Sequence, residues 1–464
     1  MVVLGALAPH PPIIVPAVGR GRESEASSTR KAMSDLAGIA AEAAPETLVV
    51  FTPHGNVLRD GLLITGAPVL RGDLSQFGAA QEEVWTNDLE LAFAIETSAG
   101  REGLPALVLR EDEAKRYKAR TTLDHGVLVP LSFMGEAVRR AKLVVVGMGM
   151  LPLLQLYRFG QAVARAAEET GRRVAVLASG DLSHRLAEDG PYGYHPQGPA
   201  FDRLLVDLLG RADVPGILGI DPGMAEEAGE CGYRTIVMML GSLDGLKLEA
   251  RVLSYEGPFG VGYAVAVFKP SGPDPARAFG AGFERAAAEA AARRHREESP
   301  YVRLARETVE AYVRGVEPPS DGTRIPDADR RAGVFVSIKK HGELRGCIGT
   351  IAPTRRNIAE EIRANAIAAS TQDPRFEPVS PGELPDLVYS VDVLGEAEPV
   401  AGLEELDPRR YGVIVRRGGR QGLLLPDLEG VDTAAEQVAI ARRKAGIGPD
   451  EAVELLRFEV VRHH

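Results

Sequence analysis

The 464-residue sequence predicts an α/β N-terminal domain with a mainly parallel central sheet, followed by an α+β C-terminal domain. Three observations carry this. In the first part, short β-branched or aliphatic runs alternate with longer Ala-, Glu- and Arg-rich stretches, the pattern of strands joined by crossover helices. After Val265-Ala266-Val267-Phe268, the run Lys269-Pro270-Ser271-Gly272-Pro273-Asp274-Pro275 gathers turn and breaker residues. Beyond it, strand-like runs follow one another through short connections that suit antiparallel pairing.

In chain order, strands are predicted over 2–8, 48–52, 143–146 and 174–178, with a later pair over 250–254 and 262–268. Each is a short apolar run bounded by turn residues. Helices fit 28–44, 155–169 and 225–240, where strong helix formers dominate. The breakers after Phe268 set the first domain at 1–270. Residues 271–298, rich in Ala, Arg and Glu from 277 onward, are expected to form a helical linker. The second domain is then 299–464, with strands over 333–339, 387–394, 411–416 and 453–460 and helices over 301–313, 356–370 and 433–445.

Composition narrows the function classes. Hydrophobic residues make up 45% and charged residues 26%, as in ordinary globular chains. The formal net charge of −11 argues against a general nucleic-acid binder, which needs a basic surface to displace counterions from phosphates. No apolar run approaches the ~18 residues of a membrane span, and the N-terminal stretch lacks the basic n-region of a signal peptide. The two cysteines, Cys231 and Cys347, make no disulfide framework, so a reducing, cytoplasmic setting is expected.

Five of the nine histidines, His10, His54, His125, His184 and His195, fall in the first domain. His10 follows the first predicted strand, His54 the second and His184 the fourth. Open α/β sheets bind ligands outside the carboxyl ends of their strands, so these three imidazoles are expected at one rim. Taken singly, each reads as an exposed or hydrogen-bonded loop histidine. Their shared placement favours a site, and Pro9 and Pro53 stiffen the backbone before two of them. A third ligand is sought in Gly229-Glu230-Cys231-Gly232. Glu230 would complete a two-histidine, one-carboxylate set of the kind that holds non-haem Fe(II), whereas Cys231 would make a softer site for zinc or copper. Glu230 is preferred, because adjacent side chains on a helix point about 100° apart and cannot both face one ion.

The stretches Ala8-Pro9-His10-Pro11-Pro12, Thr52-Pro53-His54-Gly55, Leu123-Asp124-His125-Gly126, Ser179-Gly180-Asp181-Leu182-Ser183-His184 and Gly229-Glu230-Cys231-Gly232 resemble, in order and context, the class III extradiol ring-cleavage dioxygenases and the related Memo proteins. The resemblance implies Fe(II) on His10, His54 and Glu230, an acid/base role for His184, and a substrate-facing role for His125. It also implies a small catechol-type aromatic substrate with O2. Read from the residues alone, His125 is equally a helix-entry residue behind an Asp124 cap, and Asp181 either orients a neighbouring group or forms a turn. His195 is expected on a loop beside the site. The thiol beside Glu230 resembles Memo-like sites, which leaves a metal-binding or adaptor protein without ring cleavage as the alternative.

In the second domain, Leu344-Arg345-Gly346-Cys347-Ile348-Gly349, Gln372-Asp373-Pro374-Arg375-Phe376 and Gly422-Leu423-Leu424-Leu425-Pro426 resemble the AMMECR family. That resemblance implies an α+β domain and an association with radical-SAM proteins. Cys347 is expected in a glycine-flanked turn, either as a nucleophile assisted by Arg345, with His341 and Glu343 nearby, or as a small buried residue.

Overall fold

A computed structural model of the chain describes residues 1–317, 325–340, 342–428 and 430–464. It divides into two compact units, Met1–Ala286 and Ala287–His464. Among the described residues, no helix is long and apolar enough to cross a membrane.

The first unit is built on strands β1 (Val2–Ala8), β2 (Thr47–Thr52), β3 (Leu62–Thr65), β4 (Val69–Leu74), β5 (Ala79–Thr86), β6 (Ala106–Leu109), β7 (Lys142–Gly147), β8 (Val174–Ser179), β9 (Leu246–Glu256) and β10 (Tyr263–Pro273). Eight of them form one sheet in the order β6-β3-β7-β2-β8-β1-β10-β9, while β4 and β5 make a separate hairpin. The centre, β7-β2-β8-β1, is parallel. β3 runs antiparallel to β7, and β10 and β9 add an antiparallel edge, so the sheet is mixed.

Burial on both faces explains why the central strands read as unbroken apolar runs rather than alternating ones. Every residue of β2 and of β8 is buried. Along β2, Val49 and Phe51 pack with Ile95, Phe159, Val163, Ile236 and Met239 on one side of the sheet. Leu48 and Val50 pack with Met33, Leu36, Val127 and Leu128 on the other. Each such fully buried side chain contributes about 1.5–3 kcal/mol.

Two departures from the expected elements bear on the site. The helix expected over 225–240 is two helices, Pro222–Ala228 and Tyr233–Gly241. Gly229 breaks it by taking a left-handed conformation at φ 65°, which glycine adopts without a Cβ clash. The strand expected to stop at 268 continues as β10 through Pro273, with a register shift between Pro270 and Pro273 that accommodates the prolines. The segment Gly280–Glu297 is helical.

The second unit carries β11 (Val334–Lys340), β12 (Glu343–Gly349), β13 (Leu387–Leu394), β14 (Glu398–Val400), β15 (Tyr411–Arg417), β16 (Arg420–Leu424) and β17 (Glu454–His463). They form an antiparallel sheet in the order β12-β11-β13-β17-β15-β16, with β14 on β17. Helices Pro300–Val313 and Ile358–Thr371 bury Val302, Val309, Ile362 and Ala366 against Val334, Val336, Ile338 and Val391. Helix Ala434–Lys444 packs Val438 and Ala441 on Val413, Val415 and Leu424.

Candidate metal centre

Three loops at the carboxyl ends of parallel strands build the site. His10 lies two residues past β1, His54 two past β2, and His184 five past β8. A fourth imidazole comes from helix His125–Met134. Its N-cap, Asp124, accepts from the Gly126 N–H at 2.7 Å and from Thr52 Oγ1 at 2.8 Å, tying the start of this helix to the end of β2.

His10, His54 and His125 each offer a ring nitrogen, and these atoms lie within 4.8 Å of one another. His54 Nε2 is 2.9 Å from His10 Nε2. The His54 and His125 rings stack at 4.2 Å and 28°, while His10 meets His54 edge-on at 4.7 Å. Nitrogens bound about 2.1 Å from one ion stand about 3–4 Å apart, close to the 2.9 Å of the His10–His54 pair, and a small shift of the rings would bring all three onto one first-row metal.

The surroundings hold the imidazoles neutral. Burial pushes His10 well below its ordinary range, reinforced by His54, His125 and His184. Burial also lowers His54, and it brings His125 down to about 4 with help from His54 and Arg120. A ligand must present a lone pair, which the protonated ring lacks. His10 Nδ1 is 2.9 Å from Ser179 Oγ, whose hydroxyl donates to the Gly126 carbonyl. The serine oxygen is therefore an acceptor for His10, which assigns the proton to Nδ1 and leaves Nε2 facing its neighbours.

Glu230 does not join this set. Its carboxylate accepts the Tyr233 N–H at 2.6 Å and caps the helix that begins there. Gly229 turns the chain before it, so Glu230 serves the helix start while the third imidazole comes from His125, expected only to face the substrate. Burial raises the Glu230 carboxyl to about 7 against the opposing Tyr233 bond. Its neighbour Cys231 is nearer the imidazoles: Sγ lies 3.6 Å from His10 Nε2 and accepts the Asp181 N–H at 3.3 Å. Burial, then Asp181, pushes this thiol well above its ordinary range.

Asp181 joins the loops. Its carboxylate accepts the His10 N–H at 2.9 Å, and its carbonyl accepts the Gly232 N–H at 2.9 Å. A Cβ on Gly180 would fall on the Gly232 backbone, so these two glycines permit the approach. Burial raises the Asp181 carboxyl to about 7.

His184 stands beside the three. Burial, then His54, lowers it to about 4, and its buried Nε2 has no hydrogen-bond partner among the described residues. Tyr192 stacks on its ring. His195 is held locally: its backbone N–H donates to the Arg185 carbonyl and its Nδ1 accepts the Gln197 N–H. Sequence reasoning missed Ser179 and Phe77, whose ring packs edge-on to His125. Ser179 closes a readable strand, but nothing local marks its contact with His10.

In the second unit, Cys347 lies within β12 rather than a turn, because Ser337 and Cys347 are opposed in the β11–β12 ladder. Ser337 Oγ donates to its sulfur at 3.2 Å, and its N–H donates to Asp373 at 2.9 Å. Asp373 is gripped by Arg375, which holds its carboxyl well below the usual range. Arg345 is bound to Glu383 through two nitrogens, so its charge is already compensated. His341 lies outside the described residues.

Comparison with known proteins places both units. Residues 4–266 match the catalytic LigB subunit of aromatic ring-opening dioxygenase, and residues 302–463 match AMMECR1. A Clostridium acetobutylicum protein, Protein CA_C1420, is 42% identical over 461 residues, covering 98% of each chain. A Thermotoga maritima protein is 55% identical over 170 residues, 36% of this chain and 98% of its own. The solved structure of an uncharacterized protein from Pyrococcus horikoshii, PH0010, is 33% identical with a TM-score of 0.32, covering 35% of this chain and 88% of its own. The chain thus belongs to the family of the catalytic LigB subunit of aromatic ring-opening dioxygenase, joined on one polypeptide to an AMMECR1 domain.

Proposed function

We propose that the protein is a metal-dependent oxidoreductase of the extradiol-dioxygenase type, with Fe(II) at His10, His54 and His125 and a catechol-type aromatic opened by O2. One observation supports this above the rest: three neutral imidazoles converge within 4.8 Å while a fourth, His184, stands by with a ring nitrogen that no group among the described residues engages. Bound there, the ion would supply the redox chemistry that couples a catechol to O2.

The chain's own residues then have separate tasks. Ser179 and Asp181 hold the His10 ring and backbone, and Asp124 fixes the His125 helix against β2. His184, neutral at pH 7, accepts a proton from a substrate hydroxyl at its free nitrogen and can return it to the product. The test is oxygen uptake by the Fe(II)-loaded protein across a panel of catechols. Uptake that His184→Ala abolishes, with metal content unchanged, supports the reading; a loaded protein inactive on the whole panel sinks it.

A second reading, a Memo-like metal-binding or adaptor protein without ring cleavage, is favoured by one contact. Cys231 Sγ sits 3.6 Å from His10 Nε2, where a thiolate would select zinc or copper over iron. Competition among the three metals, repeated in Cys231→Ser, separates the two readings.

A further inference from the structure

Two aromatic side chains stand at the rim of the histidine cluster and take no part in holding a metal. Phe77 is carried by the tip of the β4–β5 hairpin, meets His125 edge-on with centroids 5.4 Å apart at 69°, and is 37% exposed. Tyr192 belongs to the segment 187–195, stacks on His184 at 5.1 Å and 28°, and is 64% exposed. Each ring therefore touches a histidine of the site and stays partly exposed to solvent. Phe77 contacts His125, which stacks on His54, and Tyr192 contacts His184, whose Nε2 has no hydrogen-bond partner among the described residues.

Both rings sit on braced turns. At the hairpin tip, the Ser75 N–H donates to Asp73 at 2.8 Å and the Gly78 N–H to the Ser75 carbonyl at 2.9 Å, with Gly78 at φ 92°. In the other segment, the Gly190 N–H donates to the Ala187 carbonyl, the Gly193 N–H to that of Gly190, and Leu186 pairs with Tyr194. Rings presented in this way lose little conformational freedom on meeting a ligand.

We propose that Phe77 and Tyr192 are the substrate-specificity residues of this site, forming two apolar walls that receive the ring of an aromatic substrate while its hydroxyls face the histidines. The proposal rests on the aromatic-substrate reading above and adds which residues select the ring. A planar ring offers apolar faces to such walls and a polar edge to the imidazoles, whereas a ring-free chelator offers only the edge.

The experiment is a binding titration of the anaerobic, Fe(II)-loaded full chain with 4-nitrocatechol, set beside acetohydroxamate as a ring-free chelator. Phe77→Ala and Tyr192→Ala should each weaken 4-nitrocatechol binding about threefold to tenfold. Acetohydroxamate binding and metal content should not change. Phe77→Leu and Tyr192→Phe should recover part and most of the affinity, respectively, which separates ring contact from loop disruption. Native-level affinity in both alanine variants overturns the proposal and leaves the functional reading standing. Equal losses for the two ligands also overturn it, because they would mark damage to the metal site. A fully loaded native protein that binds acetohydroxamate but no 4-nitrocatechol sinks the aromatic-substrate reading itself, and this proposal with it.

Discussion

His10 and Ser179 are joined through a 2.9 Å contact between Nδ1 and Oγ, and the serine's own proton is committed to the Gly126 carbonyl. The serine thereby decides which nitrogen of His10 is available to an ion. A hydroxyl at the end of β8 thus sets the chemistry of an imidazole at the end of β1.

Removing that hydroxyl frees the tautomer and the ring orientation. Ser179→Ala should weaken metal binding about 10- to 100-fold with the fold retained, as loss of an orienting partner does at other metal sites. Titration against a competing chelator checks this, and unchanged affinity would show that His10 needs no such partner.

The proposed ligand set makes opposite forecasts for His54 and Glu230. His54→Ala should abolish stoichiometric metal, since His54 Nε2 stands 2.9 Å from His10 Nε2. Glu230→Gln should keep the metal, because its carboxylate caps the helix Tyr233–Gly241. Glu230→Ala should cost about 1 kcal/mol of stability from the lost cap. Elemental analysis and denaturant unfolding of the three variants decide the matter.

The lowered histidines make the metal-free protein acid-sensitive. His125 and His184 fall from 6.5 to about 4 on folding, chiefly through burial. Below pH 6.5 the unfolded chain takes up protons that the folded site refuses. Stability fully present above 6.5 should therefore fall as pH drops toward 4, and metal affinity with it. Melting temperatures measured across this range should flatten in His125→Asn if the ring is responsible.

Asp373 joins the edge strand β12 to Arg375 through the Cys347 N–H. Asp373→Ala leaves that N–H and the guanidinium without the carboxylate, a loss of about 1–3 kcal/mol. Chemical denaturation of the full chain, following the second unit, should show a lower midpoint while metal binding in the first unit stays constant.

The residue pattern alone carried the parallel strands, the prolines before His10 and His54, and the expectation that strand ends hold the chemistry. Those features are local: apolar periodicity and a backbone-stiffening proline are visible within a window of a few residues. The second-unit helices and most of its strands were legible for the same reason. The short β3 and β6, the hairpin carrying Phe77, and β12, whose glycines read as a turn, were not.

Tertiary structure alone decided which groups meet. Gly229 split an apparently continuous helix and turned Glu230 into a cap, while Asp124 bound to Thr52 and swung His125 into the set. Asp181 reached across 171 residues to hold the His10 backbone. Convergence of this kind depends on contacts between distant loops, whose partners are chosen by packing of the whole sheet rather than by neighbouring residues. Sequence marked the candidate residues, and long-range hydrogen bonds and burial decided which of them converge.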